Sequence, residues 1–192
     1  DWQQKQLSED SLGQHKTYWL NQLSGELPVL NFPSDKPRPV LKTYNGGEVV
    51  CKINNEVSAG LKSLSQSEGC TLFMALLSSV NALFYKYTQQ EDLIIGSPIA
   101  GREHTDLEDQ IGFYLNMLAL RTRFKGTWSF RDLLKECKKI TLESYEHQIY
   151  PFDELVDDLK LKRDISRSAL FDVMIIFQNT DKVKIDHGLG DL

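Results

Sequence analysis

One stretch, residues 71–88, limits the possible folds most strongly, because apolar residues occupy most sides of the helix that it predicts. A helix that is apolar nearly all round has to be buried inside the molecule. The next segment, DLIIGSPIA (residues 92–100), is a continuous apolar run punctuated by glycine and proline, which is typical of a central strand covered on both faces. The two segments together predict a layered protein in which helices pack on a sheet.

The rest of the chain continues this alternation of helices and strands. Helices are predicted for residues 8–23, for the stretch from Asn54 or Asn55 to Gly69, for the stretch that Ser129 caps and that ends near His147, and for residues 152–159. Strands are predicted for EVVCKI (48–53), for GFYLNMLALRTRF (112–124) and, buried, for ALFDVMIIFQ (169–178). The fold class is therefore α/β or α+β, with a mixed β-sheet packed by helices.

A proline-rich segment divides the chain. GELPVLNFPSDKPRP (residues 25–39) contains four of the six prolines, so neither a helix nor a central strand is expected there and the chain crosses in an extended form. We expect residues 1–45 to hold a leading helix and this crossing segment, and residues 46–192 to form a subdomain.

Composition excludes several classes of function. The formal net charge is -5 and no basic stripe is present, so we expect no nucleic-acid partner. The longest apolar run is broken by polar residues and is too short to span a membrane, and no signal peptide is recognisable. The three cysteines lie far apart, without metal-ligand spacing, which favours a reducing cytoplasm over a disulfide framework.

No complete catalytic constellation is visible in the sequence. The four histidines are not spaced as a metal pair, GSPIAGR (96–102) lacks the Lys-Ser/Thr of a phosphate-binding loop, and no G-x-S-x-G nucleophile elbow occurs.

Three single residues allow both a structural and a functional interpretation. His147 is either the polar last turn of a helix, placed to bond a free carbonyl, or a catalytic base. Asn116, in an apolar strand, is either a clasp that fixes a neighbouring loop or a site residue, since an unpaired amide there is costly. Arg102 is either solvated or the partner of a buried carboxylate.

The segment RDISRSALFD (163–172) carries Arg163, Asp164 and Arg167. The structural interpretation is a charged turn with a helix-like bend held by Asp164 and Ser166.

Taken in order, three segments resemble the condensation domains of nonribosomal peptide synthetases. IGFYLNMLALR (111–121) resembles the family's I-G-x-F-V-N-T-x-x-x-R segment, with Met117 in place of the threonine. HQIYPFD (147–153) resembles H-Q-D-Y-P-F-E, and RDISRSALFD resembles R-D-x-S-R-N-P-L-F-D, with Ser-Ala in place of Asn-Pro. Three ordered motifs are far more specific than any one of them alone.

The resemblance implies a fold like that of chloramphenicol acetyltransferase, in which two similar halves form a V around a tunnel. The implied reaction is amide formation between thioesters on the phosphopantetheine arms of donor and acceptor carrier proteins, with no cofactor bound directly by this chain. The family's catalytic H-H-x-x-x-D-G motif is absent. We therefore expect residues 46–192 to be the C-terminal subdomain of a condensation domain, truncated at both ends and inactive alone. Its expected partners are the missing N-terminal half, the carrier proteins and an adjacent adenylation domain.

By the same resemblance, the residues that support the tunnel or the interface are Arg102, Asn116, His147, Tyr150, Arg163, Asp164 and Arg167. No metal site and no catalytic residue is expected within the chain. His147 matches a motif histidine that is not the catalytic one, and Pro151 places it. Arg102 pairs with the motif aspartate across the interface between halves.

Three alternatives remain open at this point. An epimerization domain has a similar architecture, although the 111–121 and 163–172 segments favour condensation. An acyltransferase of the same superfamily would use coenzyme A. A docking module would bind carrier proteins without catalysis, and the residues upstream of Asp1 would distinguish it from an enzyme.

Overall fold

The computed structural model describes residues 12–101, 111–161 and 164–178. In that part of the chain the regular elements, in order, are α1 (Gly13–Gln22), α2 (Asn55–Ser67), α3 (Leu72–Thr88), β1 (Asp92–Ile99), β2 (Asn116–Arg123), α4 (Phe130–Glu146) and α5 (Phe152–Asp158). The expected mixture of helices and strands is confirmed, and residues 25–39 are free of helix and strand, as predicted for a crossing segment.

The buried helix predicted at residues 71–88 is α3. Thr71 begins it by accepting a hydrogen bond from the Met74 backbone N–H at 3.2 Å, and Gln89 ends it in the left-handed conformation at φ 57°. Its buried side chains include Phe73, Leu77 and Phe84. Among the described residues no single helix is long and apolar enough to cross a membrane; α2 and α3 meet that test only together, across a 111° bend.

Helix α4 covers the sheet beside α3. Ser129 caps it as predicted, accepting from the Asp132 backbone N–H at 3.2 Å while the Asp132 carboxylate accepts from the Ser129 N–H. Its apolar stripe, which includes Leu134, Cys137 and Ile140, is buried against α3 and β2. The α3–α4 layer therefore closes the core on one face of the sheet.

The sheet is built on β1, as the apolar run predicts. Strand β2 pairs with β1 in antiparallel register, with Asp92 opposite Arg123 and Ile99 opposite Asn116. On the other side, the Gly96 N–H donates to Val173 O, and Gly96 O accepts from Ile175 N–H. These two bonds form one isolated parallel bridge, so in the described residues the sheet itself has two antiparallel strands and the mixed sheet that was predicted is not formed.

Two strand predictions need correction. Residues 169–178 make only the bridge at Gly96 and are not a buried strand, since Met174 is 53% exposed. Residues 48–53 form no strand at all, and Val49 is 89% exposed. Alternating apolar residues favour a strand only where a neighbouring strand takes its backbone hydrogen bonds. No described segment does so for residues 48–53.

The predicted strand at residues 112–124 is shorter than expected at its start. It becomes regular only from Asn116 onward, and the preceding Phe113 and Leu115 are exposed.

A buried arginine joins the sheet to the beginning of the crossing segment. Arg121, which is 3% exposed, donates to both carboxylate oxygens of Asp92, at 2.9 and 2.7 Å. It also donates to Ser24 O at 2.8 Å and Glu26 O at 2.7 Å. A planar guanidinium suits such a bidentate pair. Arg121 therefore holds the residues that follow α1 against the first residue of β1.

We expect Arg121→Met to lower the free energy of unfolding by about 2 kcal/mol. Removing one partner of a buried ion pair costs roughly 3–5 kcal/mol, but Asp92, at 34% exposed, keeps part of its hydration. Arg123→Met is the matched control, since Arg123 lies on the same strand near Asp92 but is 51% exposed. Its loss should stay under about 1 kcal/mol. Urea unfolding that gives equal losses for both variants would contradict this role of Arg121.

Candidate functional site

The motif turn, residues 147–151, lies between α4 and α5. Helix α4 ends at His147, which is its C-cap, and Pro151 begins α5 with φ −65°. The side chain of Pro151 makes no capping hydrogen bond. The first N–H of α5, that of Phe152, is bonded instead by a residue from the sheet, which sets the position of the turn.

That residue is Asn116, the first residue of β2. Its Nδ2 donates to Gln148 O and to Tyr150 O, both at 2.8 Å. Its Oδ1 accepts from the Phe152 N–H at 3.0 Å and from its own neighbour, the Met117 N–H, at 2.9 Å. All of its hydrogen-bonding capacity is thus used, and in this structure Asn116 clasps the motif turn to the sheet.

His147 faces helix α1. Its ring stacks on Tyr18, with centroids 4.1 Å apart, and its Nδ1 lies 2.9 Å from the Nδ1 of His15. Its carbonyl oxygen accepts from the indole Nε1–H of Trp19 at 2.9 Å. The ring therefore bonds a second histidine and not the free carbonyl that the position in a last helical turn suggests. Sequence reasoning missed His15, because 132 residues separate it from His147.

Tyr150 holds the other end of the turn. It is buried, and its hydroxyl donates to Asp158 Oδ2 at 2.5 Å, while Lys16 of α1 contacts Asp158 Oδ1 at 2.6 Å. Burial, followed by the hydrogen bond to Asp158 and its negative charge, raises the pKa of Tyr150 above its ordinary value. Tyr150 therefore keeps its proton and acts as a hydrogen-bond donor, not as a base.

The pKa of Asp158 moves the other way. Burial alone would raise it, but hydrogen bonds from Lys16 and Tyr150, with the charge of Lys16, outweigh burial and hold the pKa below its ordinary value of 3.8. The carboxylate therefore stays charged and joins α1, the motif turn and α5.

The segment around Asp164 forms a second cluster. Asp164 Oδ1 accepts from the Ser166 N–H at 2.8 Å and from the Ser166 hydroxyl at 2.7 Å, which confirms the predicted bend. These bonds, together with nearby arginines, lower the pKa of Asp164. Arg167 pairs with Asp172, which Arg38 of the crossing segment also approaches, at 3.4 Å.

A cavity of about 730 Å³ lies beside this cluster, between the crossing segment, β1, α5 and residues 164–172. Charged residues such as Asp157, Lys160 and Arg167 share its lining with apolar ones.

The motif segments are in contact with one another. Asn116 of the first segment bonds the motif turn, and Phe152 at the start of α5 contacts the ring of Phe171 in the third segment, with centroids 5.6 Å apart. Asn116, His147 and Tyr150 are thus brought together. The Asp164–Arg167 cluster lies apart and is linked to them through Phe171. Arg102 and Arg163 lie outside the described residues.

An exposed apolar edge leads into the clasp. Ile111, Phe113 and Leu115 precede Asn116, alternate along the chain and are all largely exposed. Clustered exposed apolar side chains mark surfaces that another molecule or segment covers. Within the described residues no group of three or more His, Cys, Asp or Glu side chains could hold a metal ion.

Comparison with known families identifies relatives along almost the whole chain. The family model for the condensation domain matches residues 1–188. Bacitracin synthase 3 of Bacillus licheniformis is 46% identical over 186 residues, which are 97% of this chain and 3% of that protein. The chain therefore spans a small part of the synthase to which it is similar.

Solved structures show the same fold. A four-domain nonribosomal peptide synthetase bound to AMP and glycine superposes with a TM-score of 0.84 and 26% identity, covering 88% of this chain and 13% of that one. The X-domain from teicoplanin biosynthesis superposes equally well, at 0.84 and 23% identity, and covers 90% of this chain and 40% of its own. The expected chloramphenicol acetyltransferase-like architecture agrees with these neighbours.

The lowered pKa of Asp158 predicts a pH dependence of stability. Because the unfolded chain binds this proton more readily than the folded one, the stabilisation is present above the ordinary pKa of 3.8 and is lost as the pH falls through the lower folded value. Urea unfolding between about pH 7 and about pH 3 should show wild type more stable than Asp158→Asn at neutral pH. The difference should shrink below about pH 4, and a constant difference would exclude the ionised carboxylate as its source.

Proposed function

The chain belongs to the condensation-domain family of nonribosomal peptide synthetases, and from that membership we propose that it provides the second half of an amide-forming site. The observation that best supports the proposal is the convergence of the motif segments. Hydrogen bonds from Asn116 and the contact between the Phe152 and Phe171 rings bring three separated stretches together. Such a cluster is suited to support one wall of a tunnel, as the resemblance implies.

The proposed reaction joins two substrates that arrive on carrier proteins. The amine of the acceptor attacks the carbonyl carbon of the donor thioester; a C–N bond forms, the C–S bond breaks, and the thiol leaves with the proton that the amine gives up. Since both reactants are tethered, the enzyme gains most by holding them in position. A rigid wall, fixed by hydrogen bonds at both ends of the motif turn, serves that purpose.

The catalytic base of this site comes from outside the chain. No H-H-x-x-x-D-G motif occurs in the 192 residues, and His147 Nδ1 and the Tyr150 hydroxyl form hydrogen bonds that hold the turn. We assign His147, Asn116 and Tyr150 to support of the wall, and Asp164 and Arg167 to support of the neighbouring turn. For Arg102 and Arg163 the assignment rests on the resemblance alone.

The partner surface for the other half includes the exposed edge of Ile111, Phe113 and Leu115. It adjoins the Asn116 clasp directly, so a domain half that covers it would lie next to the motif turn. The remaining proposed partners are those that the family resemblance implies: a donor and an acceptor carrier protein with phosphopantetheine arms, and an adenylation domain. We place the reaction in the cytoplasm on the same grounds.

Complementation tests the proposal. The chain alone, mixed with loaded donor and acceptor carrier proteins, should give no amide above the uncatalysed rate by mass spectrometry. Fusion to the preceding half of a related condensation domain should restore product. The control is the same fusion with the catalytic histidine of that half replaced by alanine. In the active fusion, His147→Ala should reduce the rate less than the roughly hundred- to ten-thousand-fold expected for a general base.

Product from the chain alone would refute the split site. A folded fusion that binds both carriers without forming an amide would instead favour a docking module.

A further inference from the structure

His15 and His147 are in contact through their ring nitrogens. The two Nδ1 atoms lie 2.9 Å apart, with the ring centroids at 5.0 Å and the planes inclined by 71°. That separation is typical of a hydrogen bond with a nitrogen donor. The two residues belong to different elements, α1 and the C-cap of α4, so the contact is tertiary.

Two neutral imidazoles can make this contact in only one way. A neutral imidazole carries hydrogen on one ring nitrogen and a lone pair on the other. One Nδ1 must therefore donate and the other accept, and each ring is held in a single tautomer. The hydrogen that joins the rings also decides whether Nε2 of His147 is a donor or an acceptor.

A metal ion between the rings would need further ligands. Structural and catalytic zinc sites use at least three protein ligands. Among the described residues no third His, Cys, Asp or Glu completes such a group. The geometry therefore favours a shared proton.

The remaining contacts of His147 limit its ring to this arrangement. Tyr18 stacks on one face of the ring, and the Trp19 indole holds the carbonyl oxygen of the same residue. Within the described part of the chain, His15 is the hydrogen-bond partner of the His147 ring. Contacts with α1 as a whole orient the His147 ring, whereas the hydrogen bond with His15 selects its tautomer.

We propose that His15 is a positioning residue for His147: through the Nδ1–Nδ1 hydrogen bond it fixes one tautomer of His147 and so sets whether Nε2 of that ring is a donor or an acceptor. The inference rests on the proposed function only in treating the motif turn as a wall of the reaction chamber. The hydrogen bond and the tautomer are properties of the chain itself, and they can be measured without any activity.

Nitrogen NMR of the chain labelled with 15N-histidine tests the proposal. The sequence has four histidines, so the ring signals are few and can be assigned by substitution. We expect a slowly exchanging Nδ1–H with a scalar coupling to a second ring nitrogen, and His147 in one tautomer. His15→Phe keeps a ring but removes the nitrogens, and it should abolish the coupling and return His147 to a mixture of tautomers.

His15→Asn provides the rescue. Its amide can place either a donor or an acceptor near the position of Nδ1, so His147 should again be held in a single tautomer. Thr17→Val is the matched control on the same helix, because in the described part of the chain the Thr17 hydroxyl bonds Gly13 O one turn earlier; its spectrum should match wild type.

Three results would overturn the proposal. One is the absence of the N–H···N coupling in the unmodified folded chain, which needs no variant. Another is a His147 tautomer that does not change in His15→Phe. The last is a ring signal that alters on addition of a chelator such as EDTA, which would show a metal ion between the rings. Failure of amide formation in the complementation assay would leave this measurement unaffected.

Discussion

The hydrogen bonds of one amide side chain, Asn116, position the surface on which the proposed function depends. A buried amide is costly unless it is paired, and a proline at the start of a helix offers no side-chain cap. The Asn116 side chain is paired and also caps α5. Its oxygen accepts from the Phe152 N–H, and its nitrogen donates to the carbonyls of Gln148 and Tyr150. Asn116 begins β2, and β2 is paired along its length with β1. The sheet therefore fixes the position of the motif turn through Asn116.

Helix α1 fixes the same turn from the opposite side. His15, Tyr18 and Trp19 act on His147, and Lys16 acts on Tyr150 through Asp158. The turn is therefore held by a sheet residue on one side and by a helix from the start of the chain on the other. A segment held in this way is suited to positioning substrates.

Much of this fold could be predicted from local sequence. Helix α3 and strand β1 are too apolar to lie anywhere but in the core, and Asn54, Thr71 and Ser129 cap the helices that follow them. The strand predictions for residues 48–53 and 169–178 are wrong. A strand needs a neighbouring strand to take its backbone hydrogen bonds, and an alternating apolar pattern does not show whether one is present.

The site was less predictable than the fold, for a related reason. Asn116 could be singled out because an amide is conspicuous in an apolar strand, although the sequence allowed two roles for it. No local sequence pattern points to His15, Lys16 or Asp158. His15 and His147, and likewise Lys16 and Asp158, lie more than a hundred residues apart in the sequence, and Lys16 reaches Tyr150 only through Asp158. Arg121 is the last residue of the 111–121 segment, but its burial against Asp92 depends on the register of two strands and is not predictable from that segment alone.

Amide hydrogen exchange at Phe152 tests most directly whether Asn116 positions the motif turn. In Asn116→Ala, exchange of the Phe152 N–H should accelerate about tenfold or more, because a donor left unpaired loses on the order of 1–3 kcal/mol. The Leu155 N–H, which bonds Pro151 O within α5 at 3.0 Å, should keep its protection as an internal control. Unchanged exchange at Phe152 in Asn116→Ala, with the fold intact, would contradict the account.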